Sequence, residues 1–483
     1  MKWSDRQLAI FDAYENTRKN IAIEATAGSS KTTCIVECCR RTPPNKKVLF
    51  MAFNKSIAEE LRERLPSHID VNTFHSKGLR VLLSNFRIKP KINENKCFVI
   101  GKKILDTKDM DVKQQIRYLF EIQIIWNYIR VNLITDYEKG IPCICIEKNI
   151  EFQERMVGDM EQIRNAWHKE MKKINSVKEI NIDFTDMLYF PYQLLDSEDF
   201  PKYDIVTLDE QQDANTLQKE LALRYIKKSG RFVVVGDSRQ CIYGFQGSSL
   251  EVFKSLQSYP NTIVLPLDIT YRCGKNIVEE ARKVFNNGIV AAPNAIDGIV
   301  RKGEFDEAEN GDFILCRNNL PLATVFLYLL EMGKKATIKG KDYGDALVAL
   351  VDKIKHIEDL DAMCEKKISE LKERGLTDIQ AKNNPSYVAF MEKCTILKIL
   401  YKNWGDMKKL EDNIKEIYKD DTEGIVLSTI HKSKGLEADR VFLLNRSLIP
   451  SKYANTEEAL YNEKCLLFVA ITRARKELVY CNV

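Results

Sequence analysis

The segment Glu24-Ala-Thr-Ala-Gly-Ser-Ser-Lys-Thr-Thr33 constrains this chain more than any other. It follows the apolar run Ile21-Ala-Ile23 and precedes Cys34-Ile-Val-Glu-Cys-Cys39, which continues as a helix. A strand, a small-residue turn and a helix that starts at Lys-Thr form the layout of a phosphate-binding loop. Main-chain N–H groups of Ala27, Gly28, Ser29 and Ser30 and the helix N-terminus face an anion. Lys31 adds a point charge, the Thr32 hydroxyl can hold Mg²⁺, and Thr33 follows on the helix. The pattern asks for glycine at both ends of the loop, where this chain has Ala25 and Ser30. The alternative is a small-residue turn with no ligand.

Short apolar runs alternate with helical periodicity at both ends of the chain. Val48 to Phe53 reads as a buried strand. Ser56-Ile-Ala-Glu59 reads as a capping box before a helix with Ile57, Leu61 and Leu65 on one face. Further strands are expected at 204–208, 231–235, 262–265, 312–316, 424–428 and 440–444. Such alternation implies parallel, doubly wound sheets. Residues 90–182 and 337–420 break the rhythm, read as helices, and are expected to be insertions into the sheet domains.

The run Ile205-Val-Thr-Leu-Asp-Glu-Gln-Gln-Asp213 ends an apolar strand in two acids. Asp209 can bind Mg²⁺ through water, and Glu210 can polarise an attacking water. An isolated Asp-Glu would be an ordinary strand end. Here a phosphate loop lies upstream, and a second buried strand, Phe232 to Val235, ends in Gly236-Asp-Ser-Arg-Gln240, with Gln240 able to sense a terminal phosphate.

The ordered set of motifs resembles the superfamily 1 DNA helicases of the UvrD/Rep/PcrA type, including compact phage-like and F-box-helicase-like members. Ser4-Asp-Arg-Gln7 resembles the adenine-reading glutamine motif, and the phosphate loop resembles motif I. Ala52-Phe-Asn-Lys55 and Asn72-Thr-Phe-His-Ser-Lys-Gly78 resemble motifs Ia and Ib. Asp209-Glu-Gln-Gln-Asp213 resembles motif II, Gly236-Asp-Ser-Arg-Gln-Cys-Ile-Tyr-Gly-Phe-Gln-Gly247 motif III, and Thr270-Tyr-Arg272 motif IV. Ser428-Thr-Ile-His-Lys-Ser-Lys-Gly-Leu-Glu437 and Leu467-Phe-Val-Ala-Ile-Thr-Arg-Ala-Arg475 resemble motifs V and VI.

The resemblance implies two RecA-like domains with ATP between them, each carrying a mainly helical insertion. By motif placement the first comprises 1–88 and 183–267, with insertion 1B at 89–182. The second comprises 268–336 and 421–483, with insertion 2B at 337–420. Gln7 would read the adenine edge, Tyr271 would stack on the ring, and Glu437 would contact the ribose side. Arg272 and Arg473 would act as arginine fingers. Single-stranded DNA would meet aromatic platforms at Phe53, Phe74, Tyr243 and Phe245, with Asn54, His75, His431 and Lys432 contacting backbone or bases. The plain alternatives are a core position for Tyr271 and a surface ion pair for Arg272. Ser30 departs from the family's glycine, Gln246 stands where many members have arginine, and Gln211 is a milder variation.

Composition narrows the field without naming a partner. With 483 residues the chain needs two to four domains. Its 74 Lys and Arg against 69 acids leave a net charge of +5, which permits nucleic-acid binding only through clustering of basic groups. The 13 cysteines form no pair of CxxC units, so reduced thiols rather than a structural zinc are expected. The polar start and the absence of an apolar run of about 18 residues lead us to expect no signal peptide and no membrane span. The expected setting is the cytoplasm of a bacterial or phage-infected cell, or a nucleus if the source is eukaryotic. The expected activity is ATP-driven 3′-to-5′ movement on single-stranded DNA and at single/double-strand junctions, with a replication or recombination protein as a possible partner. The rivals are a nucleotide-gated regulatory subunit and a protein-stripping translocase. A helicase–nuclease is not expected, since the sequence ends just past motif VI.

Overall fold

The computed structural model describes residues 3–148, 150–242, 250–286, 288–373, 376–419 and 424–483. The chain divides into two compact units, Met1–Thr26 with Ser30–Asp268, and Ala27–Ser29 with Ile269–Val483. Each is built around one parallel sheet, the architecture of a RecA-like domain.

The first unit has a six-stranded sheet in the order Ile69–Thr73, Val48–Ala52, Tyr203–Leu208, Ile226–Gly236, Asn20–Ala25, Thr262–Leu267. Its central strands read as unbroken apolar runs because helices cover both faces. Ile21 and Ile23 pair with Val233 and Val235 on one side and with Ile263 and Leu265 on the other. All strands being parallel, their carboxyl ends share one edge. That edge carries the residues after Ala25, Leu208 and Gly236, which is where ligands bind in open α/β sheets.

The expected capping box at Ser56 is not what starts the next helix. Helix Lys55–Arg64 is capped by Asn54, whose Oδ1 accepts from the Ile57 N–H at 2.9 Å. An asparagine in extended backbone just ahead of the first turn reaches the orphan amides that Ser56, already inside the helix, does not. Leu61 is buried as expected, while Leu65 lies past the helix end.

Helices Lys96–Ile104, Val112–Asn132, Tyr137–Lys148 and Arg155–Lys172 lie between two short strands, Lys89–Ile92 and Glu179–Ile182, which pair with each other. A buried ionic network ties this segment to helix Asp186–Leu194. Arg130 bonds Asp183 at 2.6 Å and Asp186 at 2.8 Å, Lys96 bonds Asp186 at 2.7 Å, and the Trp167 indole N–H donates to Asp186 at 2.8 Å. Two cations face two carboxylates, so no charge is buried alone.

The second unit has a seven-stranded parallel sheet in the order Ile299–Lys302, Ala474–Cys481, Ala438–Leu444, Phe313–Cys316, Ile425–Thr429, Ala336–Lys339, Tyr418–Lys419. The span 337–420 is expected from the sequence to be a mainly helical insertion. The structure gives both ends of that span to the sheet. Ile338 pairs with Tyr418 and with Leu427, and the helices run from Lys341–Val351 to Met407–Ile417. Strands this short, one of them at the sheet edge, carry too few apolar residues to show in the pattern. No helix among the described residues is long and apolar enough to cross a membrane.

Candidate active site

The phosphate loop turns twice through left-handed backbone. Gly28 has φ +70°, which costs glycine little, and Ser30 has φ +63° and ψ +40°. The second is where the loop pattern asks for glycine, and a side chain there costs about 1–2 kcal/mol. Ala27 and Ser29 are buried. Helix Lys31–Arg40 then begins with Lys31, Thr32 and Thr33 in its first turn.

Lys31 and Thr32 each meet one acid from the end of strand Tyr203–Leu208. Lys31 Nζ lies 3.2 Å from Glu210 Oε2, and the Thr32 hydroxyl donates to Asp209 Oδ2 at 2.7 Å. Burial alone would lower the lysine's pKa. Glu210, Asp237 and Asp209 outweigh it and hold Lys31 above an ordinary lysine. For Asp209 the balance favours the neutral form instead. Burial, reinforced by Glu210, raises its pKa to about 6. Glu210 itself sits in left-handed backbone, φ +51°, a strained position of the kind that clusters at functional sites.

The strand Ile226–Gly236 completes the cluster. Asp237 is buried, and its carboxylate accepts from the Arg239 N–H at 3.1 Å, Arg239 Nε at 3.0 Å and Gln240 Nε2 at 2.6 Å. Arg239 also donates to the Ala25 carbonyl at 2.6 Å, tying this turn to the phosphate-loop strand. Gln212 is a residue the sequence reading missed. Its Nε2 donates to Glu210 at 2.6 Å while its Oε1 accepts from the Asp237 N–H at 2.9 Å, so one buried amide links the two acidic turns. A Cβ on Gly236 would stand 2.8 Å from that Oε1 and would displace it from the Asp237 N–H. Nothing in the sequence distinguishes Gln212 from its neighbour Gln211. Gln7 lies outside this cluster. It is buried, and its Oε1 accepts from the Ser4 N–H at 3.0 Å in a capping box.

In the second unit Tyr271 is half-exposed and not a core aromatic. Arg272 forms an ion pair with Glu437, and its Nη1 donates to the Thr472 carbonyl at 3.3 Å. Glu437 also lies 3.6 Å from Arg475. Arg473 is buried and donates to the carbonyls of Val469 at 3.1 Å and Leu436 at 2.9 Å. It thereby pins the end of helix Glu457–Ile471 to the loop that carries Glu437.

The residues expected to meet a nucleic-acid strand separate into distinct groups. Phe53 is 42% exposed, and its neighbour Asn54 is occupied as the helix cap. Phe74 does not present a face. It is buried at the start of helix Phe74–Asn85 and belongs to the core of its unit. His75 lies edge-on to Phe184 at 6.2 Å, and burial lowers its pKa, keeping it neutral. Phe184 is 52% exposed and stands in sequence between the anchored acids Asp183 and Asp186. His431 is pushed down to about 4 by burial and by Arg317. Lys432 is ion-paired with Asp342 at the start of helix Lys341–Val351. Tyr243, Phe245 and Gln246 lie outside the described residues.

Comparison with known families decides the assignment. The UvrD/REP helicase N-terminal domain matches residues 7–260, and the UvrD-like helicase C-terminal domain matches residues 163–482. The chain belongs to the UvrD/Rep helicase family. Each of the two family models covers more than half of the chain. This helicase is 24% identical to F-box DNA helicase protein 1 of Schizosaccharomyces pombe, over 99% of this chain and 57% of that protein. It is 21% identical to the ATP-dependent DNA helicase Rep of Buchnera aphidicola, over 97% of this chain and 94% of that one. It is 26% identical to the PcrA helicase of Bacillus subtilis, over 57% of this chain and 39% of PcrA. The helicase thus spans little more than half the length of the first of these relatives and almost all of the second.

Proposed function

We propose that this helicase is an ATP-driven motor that moves 3′ to 5′ on single-stranded DNA and opens single/double-strand junctions. The observation that carries the proposal is the pairing of Lys31 with Glu210 and Thr32 with Asp209 at the carboxyl edge of one parallel sheet. Lys31 neutralises phosphate charge, Glu210 orients the attacking water, and Gln240 senses the terminal phosphate. Gln212 keeps Glu210 and the Asp237 turn in register. Arg272 and Arg473 stabilise charge in the transition state, and Tyr271 supplies a ring for the base. Gln7 holds the adenine edge and Glu437 the ribose side.

The Thr32 and Asp209 oxygens suit magnesium, which takes hard oxygen donors and keeps waters of its own. The raised pKa of Asp209 fits a carboxylate that gains from a neighbouring cation. Magnesium held there supplies charge neutralisation for the phosphates. On the DNA side, Phe53 and Phe184 offer exposed faces for bases, and Tyr243 and Phe245 extend the set by motif position. Neutral His75 and His431 offer hydrogen bonds rather than charge.

The deciding experiment measures ATPase activity with and without single-stranded DNA, followed by unwinding of duplexes with 3′ or 5′ tails. DNA-stimulated turnover with unwinding from 3′ tails supports the motor. Preference for 5′ tails refutes the direction, and strong DNA binding without turnover favours a second reading. That reading, a nucleotide-gated regulatory subunit, has one observation behind it: the left-handed Ser30 beside the phosphate position.

A further inference from the structure

Helix Val112–Asn132 buries Leu119, Ile122, Ile125, Trp126 and Ile129 on one side. An amphipathic helix normally turns polar groups outward on the other. Here Val112, Ile116, Phe120 and Ile124 stand there, each 45–70% exposed. Steps of four residues align them in one ridge, about 18 Å long at 1.5 Å per residue.

Helix Lys96–Ile104 widens the ridge. The Phe98 N–H donates to Gln123 Oε1 at 3.2 Å, and the rings of Phe98 and Phe120 lie 5.0 Å apart. Val99 beside it is exposed. Gly101 packs against Leu119 so closely that a Cβ would stand 2.8 Å from Leu119 Cδ2. One turn beyond Phe98 and Val99 come Lys102 and Lys103, both exposed and without an ion pair among the described residues. Arg117 across the ridge is already held by Glu121 at 2.6 Å.

We propose that this ridge is the docking surface for a short acidic segment of a partner protein, one that carries large apolar anchor side chains. The apolar ridge takes the anchors, and the two unpaired lysines at its flank take the acids. A second copy of this chain fits less well. It would bring its own Lys102 and Lys103 against like charge, and an exposed patch of this class falls short of the ~800 Å² per partner buried between stably paired proteins. None of these residues belongs to the proposed ATP or DNA machinery.

The test uses two labelled synthetic helical peptides with identical leucine and phenylalanine positions. One has glutamate at every polar position and the other has lysine. Fluorescence anisotropy with the full chain is expected to show micromolar binding of the acidic peptide, weakening with salt, and at least tenfold weaker binding of the basic one. Phe120→Ser and the pair Lys102→Glu with Lys103→Glu are each expected to weaken the acidic peptide by at least fivefold, with basal ATPase and melting temperature unchanged. Millimolar or weaker binding of the acidic peptide overturns the proposal, as does equal binding to wild type and variants. A wild-type dimer in sedimentation that Phe120→Ser converts to monomer assigns the ridge to a second copy and overturns it too.

Discussion

Thr32 donates its hydroxyl to Asp209 across 2.7 Å, joining the first turn of the phosphate-loop helix to a strand that is not its neighbour in the sheet. The strand Ile226–Gly236 lies between them, so only the shared carboxyl edge of a parallel sheet brings the two residues together. The carboxylate ends up buried beside a second acid, and its pKa rises to about 6. A raised folded-state value favours the neutral acid. That contribution to stability is present below about pH 4 and is lost as pH climbs through 6. Asp209→Asn, neutral at every pH, is therefore expected to be more stable than wild type near pH 8, by about 1–3 kcal/mol, and to lose the advantage near pH 4. Thermal melting across that range checks it, and equal melting near pH 8 contradicts it.

Glu210→Gln is expected to bind ATP about as well as wild type and to lose about 10²-fold or more of its turnover, since the water loses its orienting carboxylate. The amide keeps the size of the side chain and an oxygen for Gln212. Near-normal hydrolysis would remove Glu210 from the catalytic assignment.

The two proposed finger arginines differ in their surroundings, and their variants should differ too. Arg272→Ala is expected to cut kcat far more than it raises KM, with stability changed by no more than about 1 kcal/mol, since its ion pair with Glu437 is partly exposed. Arg473→Ala leaves the carbonyls of Val469 and Leu436 without their buried donor and is expected to lose about 1–3 kcal/mol of stability as well as activity. Calorimetry alongside kinetics separates the two. Identical melting of both variants would argue against the pinning role of Arg473.

Among the aromatic residues, Phe53→Ala and Phe184→Ala are each expected to weaken single-strand binding by about 1–3 kcal/mol while leaving basal ATPase intact. Phe74→Ala is expected instead to destabilise the fold by about 3–5 kcal/mol, as a core truncation. Should Phe74→Ala melt normally and bind DNA weakly, the core assignment fails.

Ser30→Gly relieves left-handed strain of about 1–2 kcal/mol but adds unfolded-chain freedom of up to about 1 kcal/mol, so stability changes little. DNA-stimulated kcat is expected to stay within tenfold of wild type. A larger rise would mean the native loop is impaired and would favour the regulatory-subunit reading.

The local motifs were legible in the sequence because each is written by neighbours in the chain. An apolar strand, a small-residue turn and a helix starting at Lys31-Thr32 are set by neighbours alone, and the strand that ends before Asp209 and Glu210 is likewise local. Alternating strands and helices implied the two parallel sheets, since periodicity reports which faces are buried. Tertiary packing decided the rest. Gln212 matters because the sheet brings it to Glu210 and Asp237, and no local pattern separates it from Gln211. Phe74 is buried at a helix start while Phe184 is exposed beside a buried ionic network, a difference that no local pattern shows. Periodicity records the faces of a single element, whereas burial depends on which partners that element meets across 100 or more residues, as helix Phe74–Asn85 does with helix Asp186–Leu194.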